Sequence, residues 1–138
     1  MASYELGVKP DVCEVPLLID WVESCCGKEG LAEEFTFKMT LAIEEAVMNV
    51  IANAFAGLPP PHSIKVRLDI TAQSVAVEII DNGHPFDPRN APDPDLSLPL
   101  ERRNPGGLGV HFMRSMMDRL HYRYTDGNNI FRLEKARR

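Results

Sequence analysis

The sequence predicts an α+β fold, a two-layer sandwich with helices on one face of a mixed, mostly antiparallel sheet. Three observations support this class: a long apolar helical stretch, alternating strands joined by short turns, and no regular strand–helix–strand repetition. A length of 138 residues suits one domain, 1–138, with a single core of ordinary size.

The longest helical stretch, 41–55, contains good helix formers and neither Gly nor Pro. Four residues advance a helix about 40° beyond one full turn, so Glu45, Asn49 and Asn53 form one slanting polar stripe. Such a stripe is either the solvated side of the helix or the wall of a polar pocket. The stretch carries no Lys or Arg, which a solvated side usually has, and this favours the pocket.

Periodicity and breaking residues predict the elements before and after this helix. An edge strand is expected over 4–8, and Asp11 is placed to cap a helix that Gly27 and Gly30 break. Gly57 and the three prolines that follow it stop the central helix.

Alternating apolar residues predict strands at 64–70 and 75–80, which form an antiparallel hairpin. Two closing strands flank a tight turn at 126–127. A helix before them is predicted to carry on one face Val110, Met113, Met116, Met117 and Leu120.

Composition excludes several classes of protein. The net charge of −5 argues against nucleic acid as the main partner, because phosphate binding needs a basic face. We expect no membrane span and no signal peptide, since the apolar runs are short and the N-terminus lacks a basic segment. Cys13, Cys25 and Cys26 suit neither a disulfide framework nor a zinc site, so we expect a cytoplasmic protein.

The sequence offers two further polar sites, of which only the first follows a strand. Asp81-Asn-Gly83 alone is a hairpin signal, but Pro85 and Pro88 discourage a paired strand directly afterwards. A carboxylate at that strand end can accept a hydrogen bond from an exocyclic amine, and the Gly allows a flat ligand to approach.

The second site is Gly106-Gly-Leu108-Gly109, where free backbone N–H groups at a helix start could bind phosphate. Three glycines can also be only a turn, and no Lys-Ser or Lys-Thr follows as in a Walker loop. Before it, the proline-rich stretch 85–105 has no periodicity and is expected to be a lid or disordered.

Taken in order, these motifs resemble those of the small bacterial serine kinases that act as anti-sigma factors. That family lies within the Bergerat-fold ATPases, with histidine kinases, gyrase, Hsp90 and MutL. The sequence resembles the N box at 45–49, the first Gly box at 81–88, the second at 106–118 and the last hairpin at 126–133.

The resemblance implies ATP and Mg²⁺ as cofactors. Asn49 would give its amide oxygen to the metal, and Glu45 would be the general base toward the accepting hydroxyl. Asp81 would bind the adenine amine with Gly83 packed nearby. Other residues expected at ATP are Asn53, Arg102, Arg103, Gly106, Gly107, Leu108, Gly109 and Asn129. For the two arginines, solvated loop charge is an equal alternative.

The resemblance also implies partners: a STAS-domain anti-sigma antagonist as phosphoryl acceptor, a sigma factor as second ligand, and a homodimer. The alternatives are a nucleotide-dependent interaction switch that transfers nothing, a histidine-kinase catalytic domain, and a structural interaction domain. We expect no room before Tyr4 for the dimerisation helix of a histidine kinase.

Overall fold

The computed structural model describes residues 1–90 and 109–137, and its elements follow the predicted alternation of helices and hairpins. The strands and helices, in chain order, are β1 (Ala2–Val8), α1 (Val15–Lys28), α2 (Glu33–Asn53), β2 (Ile64–Ile70), β3 (Ser74–Asp81), α3 (Gly109–Met116), β4 (Arg119–Thr125) and β5 (Asn128–Ala136). Short 3₁₀ turns occur at Val12–Glu14 and Pro88–Asn90.

The five strands form one sheet in the order β1-β2-β3-β5-β4. Each neighbouring pair of strands in the described chain is antiparallel. The described sheet is therefore wholly antiparallel, whereas the sequence predicted a mixed, mostly antiparallel sheet. β1 and β4 are the edges, which confirms the predicted N-terminal edge strand. The α+β class is confirmed.

The core lies between one face of the sheet and the helices. Alternate residues of β2 are buried while those between them are more exposed, as expected when one face of a strand is covered. The most deeply buried side chains come from both layers: Leu18, Val22, Met39, Ile43, Val47, Leu68, Ile79, Met113, Phe131 and Leu133.

The central helix α2 is longer than predicted at its N-terminal end and shorter at its C-terminal end. It begins at Glu33, and the acidic first turn Glu33-Glu34 complements the positive end of the helix dipole. It ends at Asn53, while Gly57 beyond it adopts a φ of 75° that suits glycine. No described helix is both long enough and apolar enough to cross a membrane.

The flanking helices correct three predictions. Asp11 caps the 3₁₀ turn by accepting from the backbone N–H of Cys13, and α1 begins only at Val15, with Pro16 in its first turn. Gly27 lies inside α1, which ends near Gly30. α3 ends at Met116, so Leu120 belongs to β4, whose pairing with β5 decides its conformation.

Candidate functional site

Four of the predicted site residues, Asn49, Asp81, Gly83 and Asn129, lie in or contact the loop 82–88 that leaves β3. Asn82 fixes the start of this loop, because its side chain accepts from the N–H of Ser63 at 2.8 Å and donates to the Pro61 carbonyl at 2.9 Å. The loop is thereby tied to the segment that precedes β2, next to the C-terminal end of α2.

Asp81 is the last residue of β3 and is 2% exposed. Its Oδ1 accepts from the backbone N–H of Gly83 at 2.9 Å and from Nδ2 of Asn129 at 2.8 Å. Both bonds go to one oxygen, so the carboxylate is held in a fixed orientation. Oδ2 receives no hydrogen bond from the described residues and remains able to accept one from a ligand amine.

Burial raises the pKa of the Asp81 carboxyl above its usual value, because a charged carboxylate loses hydration inside the protein. The hydrogen bonds from Asn129 and Gly83 act in the opposite direction, since they stabilise the charged form. Burial is the larger effect. The site therefore holds a partly desolvated acceptor, in which a hydrogen bond to a ligand is stronger than in water.

Asn129, on β5, is 1% exposed and joins four segments of the chain. Its Nδ2 donates to Asp81 and also to the His84 carbonyl at 2.7 Å. Its Oδ1 accepts from the N–H of Phe86 at 2.9 Å and from the Tyr122 hydroxyl. Both amide protons and both lone pairs are used within the protein. The structure thus places Asn129 beside Asp81, as a support of that carboxylate.

Gly83 packs against the end of α2 at a distance that excludes any side chain. A Cβ atom there would lie 2.4 Å from the carbonyl oxygen of Ala54. The same carbonyl accepts from the N–H of His84 at 2.7 Å, and the His84 ring contacts the Ala56 carbonyl at 2.8 Å. Close packing of loop on helix therefore requires this glycine, whatever its part in ligand approach.

Asn49 is 1% exposed, and its Nδ2 donates to the Pro88 carbonyl at 3.4 Å. Asn53 donates to the backbone carbonyl of Asn49 at 2.9 Å, one turn along, so both belong to the same stripe. Because the Asn49 amide nitrogen is directed to Pro88, Oδ1 is the atom left to accept or to bind a cation. An amide oxygen is a ligand that Mg²⁺ accepts.

The two acidic residues in the middle of α2 have different surroundings. Glu45 is half-buried and its Oε1 is shielded from solvent, whereas Glu44 is exposed. This agrees with the helical spacing, which puts Glu45 on the face of Asn49 and rotates Glu44 about 100° away. The structure therefore brings only Glu45 to the polar stripe.

Of the predicted phosphate-binding loop, the structure describes only the last residue. Gly109, the last residue of the predicted loop, is the first described residue of α3. Five predicted residues lie outside the described chain: Arg102, Arg103, Gly106, Gly107 and Leu108. The predicted lid 85–105 is described only to Asn90, where the Asp87 carboxylate binds the Arg89 guanidinium at 2.6 Å.

Sequence reasoning did not identify Tyr122, His84 and Ala54 as residues that hold the site, although His84 lies within the predicted motif 81–88. The signal for Tyr122 was present in the last hairpin. A turn at 126–127 pairs Tyr124 with Asn129, which puts Tyr122 within reach of Asn129 on the same face. Ala54 acts through its backbone carbonyl, and His84 acts through its backbone N–H and carbonyl and through its ring. The sequence offers no signal for these contacts.

Comparisons with known proteins identify the family of the chain. Residues 8–135 match the model of the histidine kinase-like ATPase domain. The serine/threonine-protein kinase BtrW of Bordetella bronchiseptica is 33% identical over 79% of this chain and 76% of its own. The serine-protein kinase RsbW of Listeria monocytogenes is 25% identical over 93% of this chain and 82% of its own.

A solved structure shows the same fold. The crystal structure of the RsbU and RsbW domains of a Mycobacterium tuberculosis protein aligns over all of this chain with a TM-score of 0.70 at 12% identity. This chain spans 34% of that longer one. Given these matches, the chain belongs to the histidine kinase-like ATPase domain family, and relatives it resembles are named serine/threonine-protein kinase BtrW and serine-protein kinase RsbW.

Proposed function

We propose that this chain is an ATP-dependent protein-serine kinase of the anti-sigma type. The observation that carries the nucleotide part is Asp81, a buried carboxylate whose Oδ1 is bonded within the protein and whose Oδ2 can accept from an adenine amine. The kinase part is supported by the two relatives described above, both of which are named as serine or serine/threonine kinases.

The adenine end and the phosphate end of the pocket are linked by the loop 82–88. Phe86 donates to Asn129 beside the proposed adenine site, and Pro88 accepts from Asn49 beside the proposed phosphate site. One nucleotide lying along this loop would contact both. Asn53, Gly109 and the glycines before it complete the proposed phosphate side.

Mg²⁺ bound with ATP would be held by Oδ1 of Asn49 and by phosphate oxygens, and would neutralise phosphate charge. The chain's own acid–base residue is Glu45. A serine hydroxyl of the partner forms a bond to the terminal phosphorus, the bond from that phosphorus to the ADP oxygen breaks, and Glu45 takes the serine proton. Its half-buried position on the Asn49 face of α2 supports this role.

The proposed acceptor is a STAS-domain anti-sigma antagonist, with a sigma factor as the second ligand and a homodimer as the working form. These partners follow from the resemblance to the anti-sigma serine kinases, which the RsbW relative supports at the level of the family. The rival function is a switch that binds ATP and a partner without transferring phosphate, which the same pocket would also support.

Labelled ATP separates the two functions. The chain is incubated with γ-labelled ATP, Mg²⁺ and candidate STAS-domain proteins, and the proposal expects one of them to gain label on serine. A parallel titration with a fluorescent ADP analogue reports binding alone. Binding without label on any candidate would favour the switch, and no binding would contradict the nucleotide pocket itself.

A further inference from the structure

A groove separate from the nucleotide site runs between α1 and α2. It encloses about 520 Å³ and is lined by Glu23, Gly27, Leu31, Glu33, Thr36, Phe37 and Thr40. Phe37 precedes Glu45 by eight residues, which corresponds to about 12 Å along the axis of α2. The groove is therefore a second concave surface on the same helix that carries the proposed base.

Phe37 is the first unusual feature of this groove. Its side chain is 62% exposed, although an aromatic ring is normally among the most buried groups in a domain of this size. Leu31 is half-buried beside it in the same lining. The groove thus presents apolar surface that the described fold does not cover.

Gly27 is the second feature. It lies inside α1 and is not among the glycines with positive φ, so its backbone does not require glycine. A Cβ atom added there would meet nothing within 4 Å, so packing does not require it either. Glycine inside a helix lowers its stability relative to alanine. An open backbone facing the groove is explained if an occupant lies against it.

Charge is the third feature. The charged residues in the described lining are Glu23 and Glu33, and both are acidic. On α1, Asp20 lies three residues before Glu23 on the same face. On α2, Glu44 lies four residues after Thr40 on the same face. Lys38 lies outside this lining, with its ammonium 3.6 Å from Glu34. An occupant that carries positive charge would complement this surface.

We propose that the groove binds a segment of a partner protein in which an apolar side chain lies between Lys or Arg residues. The apolar side chain packs on Phe37 and Leu31, and the segment's backbone passes over Gly27. The flanking cations pair with Glu23 and Glu33. Such a segment would complement both the apolar area and the charge of the groove.

Peptide selection tests the proposal on the whole folded chain without nucleotide. A random peptide library displayed on phage is selected on the wild type and counter-selected on Phe37→Ser. The proposal expects enriched sequences with an aliphatic or aromatic residue flanked by Lys or Arg. A selection that enriches no class of sequence, or an acidic class, would overturn it.

An enriched peptide is then synthesised and titrated by fluorescence anisotropy. Phe37→Ser should weaken its binding about tenfold or more, as loss of an aromatic anchor does. The matched control is Leu17→Ser, because Leu17 is also 62% exposed and lies on α1 outside the groove lining. The affinity of this variant for the peptide should equal that of the wild type. Equal affinities for all three proteins would refute the site.

Gly27→Ala separates a binding role from a structural one. Alanine should keep or raise the melting temperature of the protein. It should nevertheless weaken peptide binding several-fold, because its methyl group fills the contact surface. Unchanged affinity would contradict the backbone contact and with it the proposed site. The remaining alternative is that a second copy of this chain occupies the groove, and sedimentation of the wild type and Phe37→Ser tests it. Self-association that is lost in the variant would assign the groove to that second copy and overturn the proposal.

Discussion

Asp81 and Asn129 face each other across β3 and β5, and Nδ2 of Asn129 donates to Oδ1 of Asp81 at 2.8 Å. The pair sits where β3 ends and the loop 82–88 begins. Because Asn129 also accepts from the N–H of Phe86, the same amide holds both the carboxylate and the loop. The orientation of Asp81 thus depends on the last hairpin, nearly fifty residues along the chain.

Asp81→Asn should weaken adenine-nucleotide binding by about 1–3 kcal/mol, the usual cost of an unsatisfied buried partner. The new amide presents a donor where the ligand amine needs an acceptor. Calorimetry with an ATP analogue measures the change. Asp126→Asn is the control, since Asp126 is exposed in the turn with a φ of 51° that Asn also tolerates. Equal affinities in both variants would exclude Asp81 from the pocket.

Tyr122→Phe removes the hydroxyl that donates to Asn129 and leaves the ring in place. Asn129 keeps its bond from Phe86, so we expect a loss of only about 0.5–1.5 kcal/mol in nucleotide affinity. Tyr124→Phe on the same strand is the matched control, because Tyr124 is exposed. If both variants bind nucleotide as the wild type does, Tyr122 has no positioning role.

Gly83→Ala should destabilise the fold by about 1–3 kcal/mol through overpacking. The new methyl would lie 2.4 Å from the Ala54 carbonyl oxygen and force the loop away from α2. Chemical unfolding measures the effect. Gly7→Ala in β1 is the control, since an added Cβ there meets nothing within 4 Å. An unchanged midpoint for Gly83→Ala would show that the loop can move aside freely.

Stability should depend on pH through Asp81. Its pKa is raised in the folded state, so between the unfolded and folded pKa values the folded chain binds more protons. The stability contributed by this group is therefore present at low pH and is lost as pH rises through the folded pKa. Thermal unfolding is measured from about pH 4 to pH 7. As pH falls, the melting temperature of the wild type should rise relative to that of Asp81→Asn. A constant difference would contradict the raised pKa.

Glu45→Ala should keep nucleotide affinity within a few-fold but reduce phosphoryl transfer by about 10²–10⁴-fold, the usual contribution of a positioned base. Glu44→Ala should do neither, because Glu44 is exposed on another face of α2. Single-turnover transfer to a labelled acceptor measures the rate. Transfer at the wild-type rate by Glu45→Ala would remove the base assignment.

The sequence alone was sufficient for the α+β class, the central helix, the hairpin of β2 and β3, and the position of Asp81 at a strand end. These features follow from local periodicity and from breaking residues such as Gly57, which act over a few positions. The same local signals misplaced the start of α1 and the end of α3. Pairing in the sheet assigned Leu120 to β4, which no local pattern could decide.

The tertiary structure alone decided what surrounds the predicted site residues. The sequence predicted Asn129 near the adenine site, but only the register of β3 on β5 turns it into a support that uses all its hydrogen bonds on the protein. Gly83 was predicted for ligand approach, and its packing on Ala54 became visible only with α2 in place. These contacts join residues far apart in the chain, so their energies depend on the folded geometry and not on neighbouring sequence.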